Sequence, residues 1–231
     1  MSSDGERYFV RYCFYKVAPE WKRLPQGDKE RSKAEYAAVL DELSQRMSIA
    51  SYSLQGTRGD VDYMLWAISP TVELLDQLAS QTNRTELGKY LETPYSYLAM
   101  TRRSPYVDEH THPGQDGTGD VVRTVGRPYL FVYPFVKTHD WYQLPQEERQ
   151  TIMSEHFRIG HKYPSVKIST SYSFGLDDQE FMLGFETETP GDFLDLVMAL
   201  RESKARPYTL RDTPIFTCIH KPLGECLDGL G

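Results

Sequence analysis

The chain has 231 residues and 26 Lys+Arg against 33 Asp+Glu; the net charge of -7 has the wrong sign for gripping nucleic acid. No apolar run approaches the roughly 20 residues of a membrane span, and residues 1–7 lack the apolar stretch of a signal peptide. Cys13, Cys218 and Cys226 are too few and too scattered for a disulfide framework or a CxxC metal site, so a soluble cytoplasmic protein of a reducing compartment is expected.

Residues 8–15 (YFVRYCFY), rich in aromatic and β-branched side chains, predict a first strand. Tyr36, Val39, Leu40, Leu43 and Met47 follow at helical spacing, one stripe of a 3.6-residue period. Residues 49–55 and 61–68 read as two strands joined by a Gly/Asp turn, and a helix starting near Pro70 and a strand over 95–101 complete the unit. The same series then returns. Trp21-x-x-Leu24-Pro25 recurs as Trp141-x-x-Leu144-Pro145, an offset of 120 (141 − 21). Ser51-Tyr52-Ser53 recurs as Ser171-Tyr172-Ser173, Pro70 as Pro190 and Thr93-Pro94 as Thr213-Pro214. Tyr63-Met64-Leu65 answers Phe181-Met182-Leu183 after a two-residue deletion. The second copy has strands at 129–133, 166–174, 180–186 and 215–220, and a helical stripe of Phe193, Leu196, Val197 and Leu200.

Each copy has the order βαββαβ, so the fold class is α+β: two tandem ferredoxin-like units forming a dimeric α+β barrel-type domain. The sheets are expected edge to edge or face to face, with helices outside. The copies are assigned to residues 1–105 and 125–231, and the Gly-, Asp- and His-rich residues 106–124 to a linker.

The copies differ where packing alone would keep them alike. Tyr36 on the first helix becomes His156, flanked by Ile152, Met153 and Ile159. An axial ligand to haem iron fits this pattern, and so does a core histidine satisfied by a backbone carbonyl. Pro134 interrupts a strand run, which predicts an edge or a bulge re-aiming Tyr133 and Lys137.

Four segments carry a family resemblance: Tyr133-Pro134-x-x-Lys137; Trp141-Tyr142-x-Leu144-Pro145-x-Glu147-Glu148-Arg149; Met153-x-Glu155-His156; and Gly175-Leu176-Asp177-Asp178. In order and spacing the chain resembles the chlorite dismutase superfamily, and within it the coproheme decarboxylases of haem biosynthesis. The resemblance implies a porphyrin bound in the second copy alone, with His156 as proximal iron ligand and Phe135, Lys137, Trp141, Met153 and Ile168 around the ring. It implies oxidative decarboxylation by hydrogen peroxide of two propionates of iron coproporphyrin III (coproheme), giving haem b. Tyr133 would be the radical-forming catalytic residue, and Lys137 the holder of a nearby propionate. A homo-oligomer, by resemblance a pentamer, and transient contact with the coproporphyrin ferrochelatase are also implied.

Three positions depart from the pattern. Ile168 stands where chlorite dismutases have arginine and some decarboxylases glutamine, which disfavours chlorite as substrate. His110 or His112 in the linker are the alternatives for a distal base. Lys204 stands at the position of the acidic partner of the proximal histidine, with Glu202 two residues earlier. Either the register slips there or His156 is not made strongly basic. Arg123, Arg127, Arg206 and Arg211 are candidates for the other propionates by charge. The alternative function is a haem-binding protein with weak peroxidase activity and a transfer or sensing role, and a third reading is a duplicated barrel that binds no metal.

Overall fold

The computed structural model describes residues 6–106 and 126–231. The first copy runs β1 (Phe9–Val17), α1 (Gln26–Ser44), β2 (Ser48–Ser53), β3 (Tyr63–Ser69), α2 (Val72–Arg84) and β4 (Leu91–Met100). The second runs β5 (Tyr129–Lys137), α3 (His139–Gln143), α4 (Gln146–Gly160), β6 (Lys167–Tyr172), β7 (Phe181–Thr187), α5 (Pro190–Arg201), β8 (Thr209–Arg211), β9 (Phe216–His220) and α6 (Leu223–Asp228). The expected βαββαβ order is present twice, with α3, β8 and α6 added to the second copy. Thr71 caps α2 by accepting from the Leu74 N–H, and Pro190 opens α5 where its missing N–H costs nothing.

The two sheets meet edge to edge. Within the first copy the strand order is β4-β1-β3-β2, and within the second it is β9-β5-β7-β6, all antiparallel. Pairing of β2 with β9 and of β4 with β6 joins both ends, closing an eight-stranded barrel inside one chain and leaving β8 as a short addition beside β5. Closure removes the exposed edges that each half-sheet would otherwise present. Successive strand side chains alternate between the barrel interior and its outside. Val10, Tyr12 and Phe14 of β1 join Trp66, Leu130, Val132 and Phe216 in the interior core. Cys13, Tyr15 and Val17 face out against α1 and α2. Both faces are therefore buried over most of β1, which is why Tyr12 to Tyr15 are apolar without alternation. The tail crosses back to the first copy, where Cys226, Leu227 and Leu230 pack with Tyr36 and Leu40.

The bulge expected at Pro134 is not there. The register of β5 on β7 runs unbroken from Tyr129↔Thr187 through Pro134↔Met182 to Phe135↔Phe181. The Phe135 carbonyl accepts from the Glu180 N–H on the β7 side, so the proline nitrogen one residue back points the other way. On that side β9 pairs as far as Val132↔Phe216 and β8 begins at Val136↔Arg211. Pro134 thus sits where the ladder asks for no donor, and a central strand accommodates it. The irregularity lies further on, between Val136 and Lys137.

Candidate functional site

The helix-covered outer faces of the two copies are built alike but closed differently. In the first copy Tyr36 of α1 and Tyr63 of β3 are fully buried and joined hydroxyl to hydroxyl at 2.8 Å, with Leu40, Leu43, Leu65 and Ala67 packed around them. At the corresponding positions the second copy has His156 and Phe181, both half-buried. Opposed residues of antiparallel strands share a face, so Phe131, Phe185 and Ile168 form one row and Tyr133, Leu183 and Thr170 the next. Ile168 is 41% exposed, and Thr170 and Leu183 are half-buried. Within α4 Ile152 alone is fully buried, whereas α1 buries Tyr36, Leu40 and Leu43. The second copy therefore presents a broad, flat apolar face that its own helices only partly cover.

His156 is carried over this face by α4. Ile152, His156 and Ile159 lie at spacings of four and three, on one side of the helix. Ile159 packs with the Tyr133, Phe131 and Phe185 cluster. Burial first, and then the Lys137 ammonium, push the imidazole pKa down to about 4. The ring is consequently neutral at ordinary pH, with a nitrogen lone pair free to ligate a metal. Among the described residues no carboxylate bonds it. Lys204 is mostly exposed and pairs with Glu155 at 3.7 Å, and Glu202 is exposed as well. Neither takes the place of an acidic partner, so no carboxylate offsets the lowered basicity of the imidazole.

Tyr133 is buried on the same outer face, stacked on Phe185 with ring centroids 5.6 Å apart and an interplanar angle of 15°. Burial raises its hydroxyl pKa well above the ordinary phenol value; Asp212 adds to this, and Arg201 and Arg206 oppose it. The phenol therefore keeps its hydrogen. Asp212 accepts from Arg206 at 2.8 Å and from Arg201, so two guanidiniums share one carboxylate and leave this corner one net positive charge.

Lys137 occupies a different corner. Its ammonium stands 4.1 Å from the centre of the Trp141 ring and 5.4 Å from that of Phe135. Burial lowers its pKa to about 8, an effect that Glu180 partly offsets. Trp141 is buried against Tyr208, at 5.5 Å, with Ile152 and Ala205, and Met153 is packed at the edge of that cluster. The structure thus groups His156, Lys137, Phe135, Trp141 and Met153 at the α3–α4 side, and Tyr133 and Ile168 on the sheet. Of the candidate arginines, Arg206 bonds Asp212 and acts electrostatically on Tyr133, Arg127 is spent on the Ser165 carbonyl, and Arg211 is exposed. His110, His112 and Arg123 lie outside the described residues. Arg201, Asp212, Glu180 and Tyr142 were not among the sequence candidates. Tyr142 lies within the Trp141–Arg149 motif, but its partner Glu180 and the Arg201–Asp212 pair are joined to their neighbours only by contacts between residues distant in sequence, which motif spacing does not mark.

The second copy thus sets a neutral histidine over a partly covered apolar face of the barrel. In comparison with known proteins, the chlorite dismutase family model matches residues 29–221. The chain belongs to the chlorite dismutase family. It is 35% identical over 167 residues to the coproheme decarboxylase of Mycolicibacterium smegmatis, covering 72% of this chain and 70% of that protein. A mutant chlorite dismutase from Candidatus Nitrospira defluvii superposes with a TM-score of 0.89 at 28% identity, over 98% of this chain and 95% of that one. A haem-binding protein from Thermus thermophilus shares the fold, with a TM-score of 0.84 at 22% identity over 96% and 94% of the two chains. Among the described residues no helix is long and apolar enough to cross a membrane, and Cys13, Cys218 and Cys226 are free and buried.

Proposed function

We propose that this family member is a coproheme decarboxylase, converting two propionates of iron coproporphyrin III to vinyl groups with hydrogen peroxide and yielding haem b. The observation that carries this reading is the difference between the copies: the first outer face is sealed by the Tyr36–Tyr63 bond, and the second is half-covered with His156 above it. The donor set fits a metalloporphyrin, since a neutral imidazole faces an apolar plane formed by Phe185, Leu183 and Ile168. When bound, the iron supplies the one-electron oxidations that peroxide drives.

The chain's own residues do the rest. His156 holds the metal through its unprotonated nitrogen. Ile168, Leu183 and Phe185 exclude water from one ring face. The Arg201–Asp212–Arg206 corner, with its surplus positive charge, orients a propionate carboxylate beside Tyr133. Tyr133 gives up its hydroxyl hydrogen to one of these oxidations and recovers one from the propionate carbon, and the second oxidation takes the electron left on that carbon as carbon dioxide leaves. Each step balances as propionate, peroxide and a proton giving vinyl, carbon dioxide and two waters. Lys137, four strand steps or about 13 Å along β5 from Tyr133, holds a carboxylate at the opposite corner. Ile168 offers no charge to a chlorine oxyanion, which disfavours chlorite as substrate.

The test is incubation of the protein with iron coproporphyrin III and hydrogen peroxide, read by mass spectrometry of the porphyrin. Successive loss of two propionate carboxyls as carbon dioxide is expected. A porphyrin that binds but keeps its mass would leave a haem-binding protein rather than an enzyme.

A further inference from the structure

The Gly175–Glu180 turn bears the resemblance motif, but the reaction above does not use it. Gly175 adopts a φ of +70°, the left-handed conformation that glycine takes without strain. The turn is bonded on both sides. Asp177 accepts from the Leu98 N–H of β4 at 2.7 Å and from Gln179 at 3.0 Å, tying the turn to the first copy. Glu180 reaches the other way: its Oε2 accepts both the Lys137 backbone N–H and the Tyr142 hydroxyl, each at 2.7 Å. The Lys137 N–H lies beyond the last β5–β7 pair, Phe135↔Phe181, so a side-chain carboxylate takes the place of a ladder partner there. The Glu180 N–H meanwhile donates to the Phe135 carbonyl at 3.2 Å. One residue thus clamps β5 on both sides of Val136 and fixes the ring after Trp141.

We infer that Glu180 is the positioning residue of the Lys137 corner, holding the Lys137 backbone and Tyr142 so that the ammonium stands over Trp141 and meets a carboxylate of the bound ring. The carboxylate part rests on the porphyrin reading, whereas the positioning part is read without any ligand.

The ligand-free measurement is Trp141 fluorescence, isolated from the other two tryptophans by subtracting the emission of Trp141→Phe versions. Lys137→Ala removes the cation from the indole and shifts this signal. Glu180→Ala is expected to reproduce that shift. Glu180→Gln, whose amide oxygen still accepts both bonds, is expected to keep most of the wild-type signal. Wild-type emission in Glu180→Ala, with Lys137→Ala shifted, overturns the inference. The loaded measurement is absorbance titration with iron coproporphyrin III. Loss of one charge-assisted contact predicts about 10-fold weaker binding in Glu180→Ala and in Lys137→Ala, and no further loss in the double variant. Losses that multiply in the double variant mean that the two act independently, which also overturns it. If emission shifts as expected while affinity is unchanged in every variant, Glu180 positions Lys137 as inferred and the porphyrin reading of that corner fails. Should Glu180→Ala not fold by circular dichroism, Tyr142→Phe takes its place, removing one of the two donors to Oε2. A partial shift of the Trp141 signal is then expected, and no shift overturns the inference.

Discussion

Substituting Tyr133 by Phe separates chemistry from packing, because the structure gives the hydroxyl and the ring different tasks. The ring is stacked 5.6 Å from Phe185 and packs with Phe131, Phe193 and Leu196. The hydroxyl makes no hydrogen bond among the described residues, and burial raises its pKa. Phe keeps the ring contacts and strands no partner, so stability should change by no more than about 0.5 kcal/mol. Coproheme affinity should stay within about threefold for the same reason. Decarboxylation should nevertheless fall at least about 100-fold, or roughly 2.7 kcal/mol in activation free energy, because the hydrogen-transferring group is gone. Tyr129 cannot stand in for it: it is four strand steps away, about 13 Å, and the unbroken β5–β7 register holds it there. The assay combines urea denaturation, absorbance titration and mass spectrometry of the porphyrin after peroxide. A variant that still converts coproheme to haem b near the wild-type rate would refute the radical assignment. A variant that loses binding or several kcal/mol of stability would make Tyr133 a structural residue.

In the first copy, Tyr36→Phe or Tyr63→Phe alone leaves a buried hydroxyl unpaired and should cost about 1–3 kcal/mol, whereas the double variant should cost little more than either; additive losses in urea midpoints would show that the 2.8 Å bond carries no coupling. His156→Ala should abolish the histidine-ligated absorption spectrum of bound iron porphyrin, and an unchanged spectrum would remove His156 as the ligand. In the ligand-free protein the folded imidazole, at about 4 against the ordinary 6.5, refuses a proton that the unfolded chain accepts, so it makes stability rise with pH between those values; the difference in urea midpoint between wild type and His156→Gln should change across this window and stay constant above it. Lys137→Ala should weaken coproheme binding, with the deficit shrinking as pH passes about 8, where the wild-type ammonium itself discharges; an affinity loss that does not change across that pH would mean that the ammonium meets no carboxylate of the ring.

The sequence alone determined the doubled βαββαβ unit, because local hydrophobic periods and turn residues repeat at a fixed offset and need no tertiary information. It also singled out His156, since a duplicated chain exposes a position where packing would keep two copies alike and one has changed; Tyr133 was marked by the family resemblance. Edge-to-edge closure was left open, as the β2–β9 and β4–β6 pairings join residues far apart in sequence. Pro134 marks the limit of local reasoning. A proline in a strand signals a missing donor, but whether that matters depends on what lies across the ladder, and only the gap between β9 and β8 decided it. The same holds for the charges. Lys137 follows Tyr133 in the chain, yet the fold puts the phenol in the field of Asp212, Arg201 and Arg206 and leaves the lysine over Trp141. Electrostatic neighbours are set by distance in space, which side-chain period and motif spacing do not encode.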